Sequence, residues 1–339
     1  MKYQNLEKIG ELLESAQNPL FFFDNDADGL CSFLIMQRKI GRGKGVPIKS
    51  YPELSDMYLR KIDEFNPDII FVLDKARVSP EFIEGVKERN LYIVWIDHHE
   101  SNFKEAENVL YYNSYPSGEP VSEIVQEICR EEKDLFLSII GCVSDSYMPK
   151  RAKKFEKANP ELLNSQLNGF EALHSTEIGK FALMFNFGLM NSTTNVVKIM
   201  KYLMQIKGPY EILEENYNTQ EFHSNYAKLK GELDKLLDKV EEKSFENDKI
   251  LYFKYGGKTS MSSILANQIY FRNQGKIVIV GYERPEKLNL SVRGKDASKL
   301  TNKIIEKIEG TTGGGHKEAT GAMIPSSKIE EFEKLIKRI

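Results

Sequence analysis

Residues 93–101 read IVWIDHHES. An apolar run ending in Trp95 and Ile96 stops abruptly at Asp97, His98 and His99. Such a run followed by an acid and two imidazoles predicts a buried parallel strand that delivers polar groups at its carboxyl end. In open α/β sheets that end is where sites are built. Histidine and carboxylate together suit a borderline-hard divalent metal. Two adjacent histidines can equally cap a loop, so neighbouring stretches must decide between the readings.

The same pattern occurs upstream. Residues 20–23 are apolar, run into DNDADG at 24–29, and are followed by a helix-like segment at 30–40. Residues 47–51 read as a short strand, 56–65 as a helix, and 68–73 (DIIFVL) as another buried strand that delivers Asp74. Ser79-Pro80 opens a helix at 81–89, with proline at its first position. Strands alternating with helices of this length imply right-handed βαβ units and a parallel sheet. After a loop, SYPSGEP, helices are expected near 121–132 and from 134 to GCVSDSY, which contains Asp145.

DNDADG also matches the first half of a calcium-binding EF-hand loop. That reading needs a glutamate at the twelfth position, where Ile35 stands, and an entering helix where 21–23 predict a strand. It fails on both counts. Alternating aspartates at a buried strand's end repel one another, and a cation removes that cost.

Beyond Pro149 the chain reads as helical to about 243, ending in a charged amphipathic stretch from 226 that connects to a second α/β pattern. There, strands are expected at 250–255, 277–282 and 288–293, helices at 260–272 and 297–308, then TTGGGH, a strand through 323 and a last helix. The fold class is therefore α/β: a parallel-sheet domain, a helical connector region and a smaller mixed-sheet domain. The expected divisions are 1–205, 206–245 and 246–339, in keeping with a length of 339 residues.

Net charge is −3, which argues against a strongly basic nucleic-acid binder. The mean hides an asymmetry: from Glu246 onward there are 17 Lys and Arg against 11 Asp and Glu, and before it 30 against 39. An acidic front suits a metal and a basic rear a phosphate-bearing ligand. Two basic runs, RKIGRGKG (38–45) and PKRAKK (149–154), either track a nucleic-acid backbone or are solvated helix ends. No apolar run is long enough for a membrane span, and MKYQNLEKIGELLES lacks the apolar core of a signal peptide, so a cytoplasmic protein without a membrane partner is expected. Cys31, Cys129 and Cys142 form no CxxC pair and read as buried thiols in a reducing compartment. His174 and His223 stand apart from every motif and are read as structural.

Taken together, DNDADG, the lone Asp74, the DHH at 97–99 and Asp145 resemble, in order, the signatures of the DHH phosphoesterases. GTTGGGHKEATG at 310–321 and SVRG at 291–294 resemble those of the associated C-terminal domain. The resemblance implies a site for two manganese ions, with magnesium as the alternative. Asp28, Asp74, His98 and Asp145 would hold one metal, Asp26 and the bridging Asp74 the other. His99 would lie beside the phosphate, with Asp97 supporting the site. Many members carry a histidine where Phe22 stands here, and in the RecJ-like branch Asp24 would take its place as a ligand. Gly313, Gly314, Gly315, His316 and Arg293 would hold the substrate, with Lys295 and Lys317 extending that surface.

The expected activity is that of a RecJ-like exonuclease degrading single-stranded DNA or RNA to nucleoside monophosphates. A short-oligonucleotide (nanoRNase) or cyclic-dinucleotide phosphodiesterase uses the same chemistry. An inactive scaffold of a replication or repair complex, with a protein partner, is a third reading.

Overall fold

The computed structural model describes residues 2–50, 52–217 and 219–339; the side chains of 2–4 and of His316 lie outside the description, as does Tyr51, the expected end of one strand. Two compact units result, Met1–Tyr226 and Ala227–Ile339.

In the first unit helix α1 (Lys2–Ser15) leads to β1 (Leu20–Asp24), α2 (Ala27–Ile40), β2 (Lys44–Ile48), α3 (Leu59–Phe65), β3 (Ile70–Leu73), α4 (Pro80–Glu88), β4 (Ile93–Asp97) and β5 (Val109–Asn113). The strands pair in the order β2-β1-β3-β4-β5, all parallel. Along β1 the side chains alternate between two apolar layers. Phe21 and Phe23 join the cluster that includes Leu30, Phe33 and Ile140, and Leu20 and Phe22 join the one that includes Ile62, Phe82 and Trp95. A strand buried on both faces must be apolar throughout, which is why its polar residues collect at its tip.

β2 lies earlier than the expected 47–51, because Pro47 sits inside the strand, opposite Phe23, at the sheet's edge, where a missing N–H costs no interior pairing. β5 has no counterpart among the expected strands. Its tyrosines blur the apolar signature, yet it ends at the polar Asn113, as β1 and β4 end at Asp24 and Asp97.

Helices α5 (Val121–Cys129), α6 (Leu135–Ser144), α7 (Ala152–Ala158), α8 (Gly169–Ser175), α9 (Glu177–Leu189) and α10 (Thr193–Leu203) complete this unit, and α11 (Gln220–Lys243) carries the chain onward. Much of the first basic run is engaged internally rather than displayed. Arg38 pairs with buried Asp134 at 2.7 Å and donates to the carbonyls of Leu203, Met204 and Ile206 at the end of α10. Lys39 pairs with Glu131, and Arg42 donates to the carbonyls of Ala16, Glu14 and Ile40.

The second unit contains β6 (Phe245–Glu246), β7 (Ile250–Tyr255), α12 (Ser262–Arg272), β8 (Ile277–Arg284), β9 (Lys287–Arg293), α13 (Ala297–Lys307), β10 (Thr312–His316), β11 (Ala319–Pro325) and α14 (Ile329–Ile336). Its sheet runs β10-β11-β9-β8-β7-β6, with β7 and β8 parallel and the other pairs antiparallel. Among the described residues no helix is long and apolar enough to cross a membrane.

Candidate metal centre

The chain leaves β1 toward β2 on one side and returns to β3 on the other, so the carboxyl ends of β1 and β3 flank a topological switch point. Asp24 ends β1, Asp26 caps α2, Asp74 follows β3, and Asp97, His98 and His99 close or follow β4. Asp145 arrives from the other direction, at the carboxyl end of α6.

Two overlapping groups have ligand atoms within 4.8 Å of one another: Asp74, His98 and His99, and Asp28, His98 and Asp145. His98 is common to both. Its Nε2 lies 3.2 Å from Asp74 Oδ1 and 3.3 Å from Asp145 Oδ2. Asp26 joins through a side-chain hydrogen bond with Asp74. Burial, followed by the charge of Asp24, pushes the Asp26 carboxyl up to about 7. Burial, then Asp26, lifts Asp74 well above the ordinary carboxylate range. Carboxyls so crowded share protons or a cation.

Asp28 is held differently. Buried at the start of α2, it accepts from the N–H groups of Val121 at 2.8 Å and Ser122 at 3.0 Å, the first turn of α5. A helix amino end favours a carboxylate by its dipole and its unpaired amides. Gly141 on α6 lets this happen, because a Cβ there would sit 2.5 Å from Ser122 Oγ and 2.9 Å from Asp28 Oδ1. His99 Nδ1 lies 2.8 Å from Asp97 Oδ1. Burial works against the imidazolium, but the Asp97 hydrogen bond and charge outweigh it and raise the His99 pKa.

Three residues at the site carry no motif. Lys75, next to Asp74, places Nζ 3.0 Å from Asp24 Oδ1. Asn113 at the tip of β5 donates to the His99 carbonyl at 2.8 Å, and Asn186 of α9 accepts from the Ala27 N–H at 3.0 Å, bracing the start of α2. Asn113 is findable by the rule that finds the acids, a polar residue ending an apolar strand. Asn186 lies mid-helix, 159 residues from its partner, and no local signal marks it.

Phe22, where the resemblance implies a histidine in many members, is fully buried and makes edge contacts with Tyr58 and Phe82 at 5.9 and 5.5 Å. The donor set nonetheless suits divalent metal. Carboxylates and imidazole converge on Asp74 Oδ1, and Asp97 Oδ2 is buried without a hydrogen-bond donor among the described residues.

In the second unit the expected substrate residues fall on neighbouring strands. Arg293 ends β9, where its guanidinium is engaged by Asn267 Oδ1 and donates to Ser263 Oγ at 2.7 Å and to the Val292 carbonyl at 2.9 Å. Burial lowers its pKa to about 10, which leaves it cationic at neutral pH. Gly313, Gly314 and Gly315 form the edge strand β10 together with His316. Gly313 and Gly315 press against β11, where a Cβ would meet the carbonyls of Gly321 at 2.5 Å and Ala319 at 2.6 Å.

Residues 20–148 match the DHH family, N-terminal domain, and residues 247–339 match the DHHA1 domain. The chain belongs to the DHH phosphoesterase family. Its DHH domain carries all the acids and both histidines of the cluster, and its DHHA1 domain carries Arg293 and the glycine strand. Among solved structures the chain is similar to RecJ in complex with Mn2+ from Thermus thermophilus, at 15% identity and a TM-score of 0.70, over 98% of this chain and 54% of that one. It therefore spans about half the length of that RecJ. A structure described as a DHH domain of a member of the s1p family of ribosomal proteins aligns at 15% identity and a TM-score of 0.73, over 99% of this chain and 90% of that one. A third, exonuclease RecJ bound to manganese, aligns at 15% identity and a TM-score of 0.62, over 97% and 92%. At this identity the likeness is one of fold. No curated protein is similar enough in sequence to count as a relative.

Proposed function

We propose that this DHH protein is a metal-dependent phosphodiesterase that degrades single-stranded DNA or RNA from an end to nucleoside monophosphates. The observation that carries the reading is the convergence of Asp28, Asp74, His98, His99 and Asp145 at one end of the parallel sheet, with Asp26 bonded to Asp74. Asp28, Asp74, His98 and Asp145 would hold one divalent ion, and Asp26 with Asp74 a second, manganese or magnesium. Such a pair supplies polarisation of the phosphoryl oxygens and activation of water near neutral pH.

The chain's own residues do the rest. Asp74 presents two oxygens between the groups on β1 and β4. The α5 amides orient Asp28, and Asp97 orients the His99 ring, whose place beside the cluster suits contact with a phosphate oxygen. We assign substrate retention to the DHHA1 domain, where Arg293 and the amides of the glycine strand suit a phosphate.

A second reading is favoured by one finding. Arg38, Lys39 and Arg42 are tied to internal partners and do not form a basic track, which fits a short-oligonucleotide or cyclic-dinucleotide substrate. Digestion of end-labelled DNA and RNA strands of graded length, with manganese or with chelator, tests both, with a cyclic dinucleotide alongside. Manganese-dependent ladders on long strands support the exonuclease. Cleavage confined to the shortest or cyclic substrates supports the second reading. Binding without cleavage rejects both and points to a scaffold.

A further inference from the structure

Lys75 follows Asp74 directly and is buried, at 4% exposure. Its Nζ lies 3.0 Å from Asp24 Oδ1 and 3.3 Å from the Ser50 carbonyl oxygen. The same Asp24 oxygen accepts from the Asn25 N–H at 3.0 Å. Strand β4 pins the lysine's backbone: Trp95 Nε1 donates to the Lys75 carbonyl at 2.9 Å, and the Asp74 N–H donates to the Ile96 carbonyl at 2.9 Å. The turn that sets Asp74 and Lys75 side by side holds Asp74 at φ 59°, the left-handed region.

An ammonium withdrawn from water is costly unless it is paired. Asp24 is the carboxylate within ion-pair distance of it among the described residues. Asp24 and Asp26 both lie outside the two groups of converging ligand atoms, but Asp26 is tied to Asp74 by a side-chain hydrogen bond, whereas Asp24 is tied to Lys75. Phe22, two residues earlier, lies in the apolar layer that holds Phe82 and Trp95. At positions 22 and 24, then, neither an imidazole nor an unengaged aspartate is offered to a metal, and the Lys75 ammonium stands there.

We infer that Lys75 is a built-in counter-ion that removes Asp24 from the metal-binding set and lowers the affinity of the acidic cluster for divalent cations. It is a positioning residue, and the inference rests on the metal-dependent reading above. A unit positive charge lodged against the cluster repels an incoming divalent ion, and in a partly buried site that repulsion is weakly screened. The acids that remain, Asp26, Asp28, Asp74 and Asp145, then face the metal with one negative charge fewer to recruit it.

The test is a manganese titration of the full chain, reading free aqueous Mn2+ by its room-temperature electron paramagnetic resonance signal. Four proteins are compared: wild type, Lys75→Met, the double variant Asp24→Asn with Lys75→Met, and Asp26→Asn. Methionine keeps the length of the stem without the charge. Lys75→Met is expected to bind manganese about tenfold tighter. Removing both charges together should return the affinity to within about threefold of wild type, since the pair acts as a unit. Asp26→Asn, which loses a ligand, should bind at least about tenfold more weakly.

Unchanged or weaker binding by Lys75→Met overturns the inference. So does a double variant that falls as far as Asp26→Asn, because Asp24 would then be a ligand. Should Lys75→Met fail to fold, as read by circular dichroism, the double variant decides alone, since it leaves no buried charge unpaired. Wild-type protein that takes up no manganese overturns the metal-dependent reading itself, an outcome distinct from an unaltered Lys75→Met affinity.

Discussion

The two sheets of this protein gather polar groups in opposite ways. In the parallel sheet, β1, β3 and β4 are buried along their whole length, and charged side chains are concentrated at their tips. In the mixed sheet, the groups expected to hold a substrate are the backbone of an edge strand, TGGGH, and the Arg293 guanidinium braced by Asn267 and Ser263. Neutral amides can line an edge at no electrostatic cost. Clustered carboxylates cannot, and burial first, then the charge of neighbouring acids, raises the pKa values of Asp26 and Asp74, a cost that a cation would relieve. Under the proposed function, chemistry accordingly falls to the first sheet and ligand retention to the second.

The ion pairs differ in the same sense. Arg38–Asp134 in the first unit is nearly inaccessible, with side chains 9% and 0% exposed, while Lys254 in the second unit bridges Glu283 and Glu333 in a half-exposed setting.

The contrast breaks most visibly at Asp74. Asp74→Ala should retain its fold by circular dichroism yet lose activity by about 10²–10³-fold or more, the scale of removing one electrostatic group from a preorganised site. Activity within a few-fold of wild type would show that the tips of the parallel sheet are not where the chemistry occurs. The next effect is on stability. Arg38→Ala strands Asp134 in the interior and should cost about 3 kcal/mol in denaturant unfolding. Lys254→Ala should cost at most about 1 kcal/mol in the same assay.

Asp97→Asn probes support of the site rather than ligation. It should lower kcat by about 10–100-fold, the usual scale for a partner that orients a working residue. The smallest kinetic effect sharpens the division between the sheets: Arg293→Ala should raise KM by about tenfold with kcat little changed, the signature of lost uniform binding. A fall in kcat with KM unchanged would instead place Arg293 in the chemistry.

Much of this is legible in the linear chain because it depends on local order. An apolar run of four or five residues ended by an acid can only be a buried strand exposing its tip, and β1, β3 and β4 all obey that rule. β5 escapes the rule, since Tyr111 and Tyr112 are amphipathic and the run is less uniform. Asp145 is placed by its order among the motifs; its position at a helix end, meeting His98 from another direction, is a product of folding.

The sequence by itself determined the parallel sheet and the acids at the tips of β1, β3 and β4, because side-chain periodicity acts over a few residues; that the glycine run forms the edge strand β10 is a product of folding. Only the tertiary structure decided which acids converge on His98, that the α5 amides hold Asp28, that Asn186 braces α2, and that Asp24 is paired with Lys75. Those arrangements depend on distance between residues far apart in the chain. Electrostatic and hydrogen-bond energies depend on that distance and on burial, and neither is written in local order.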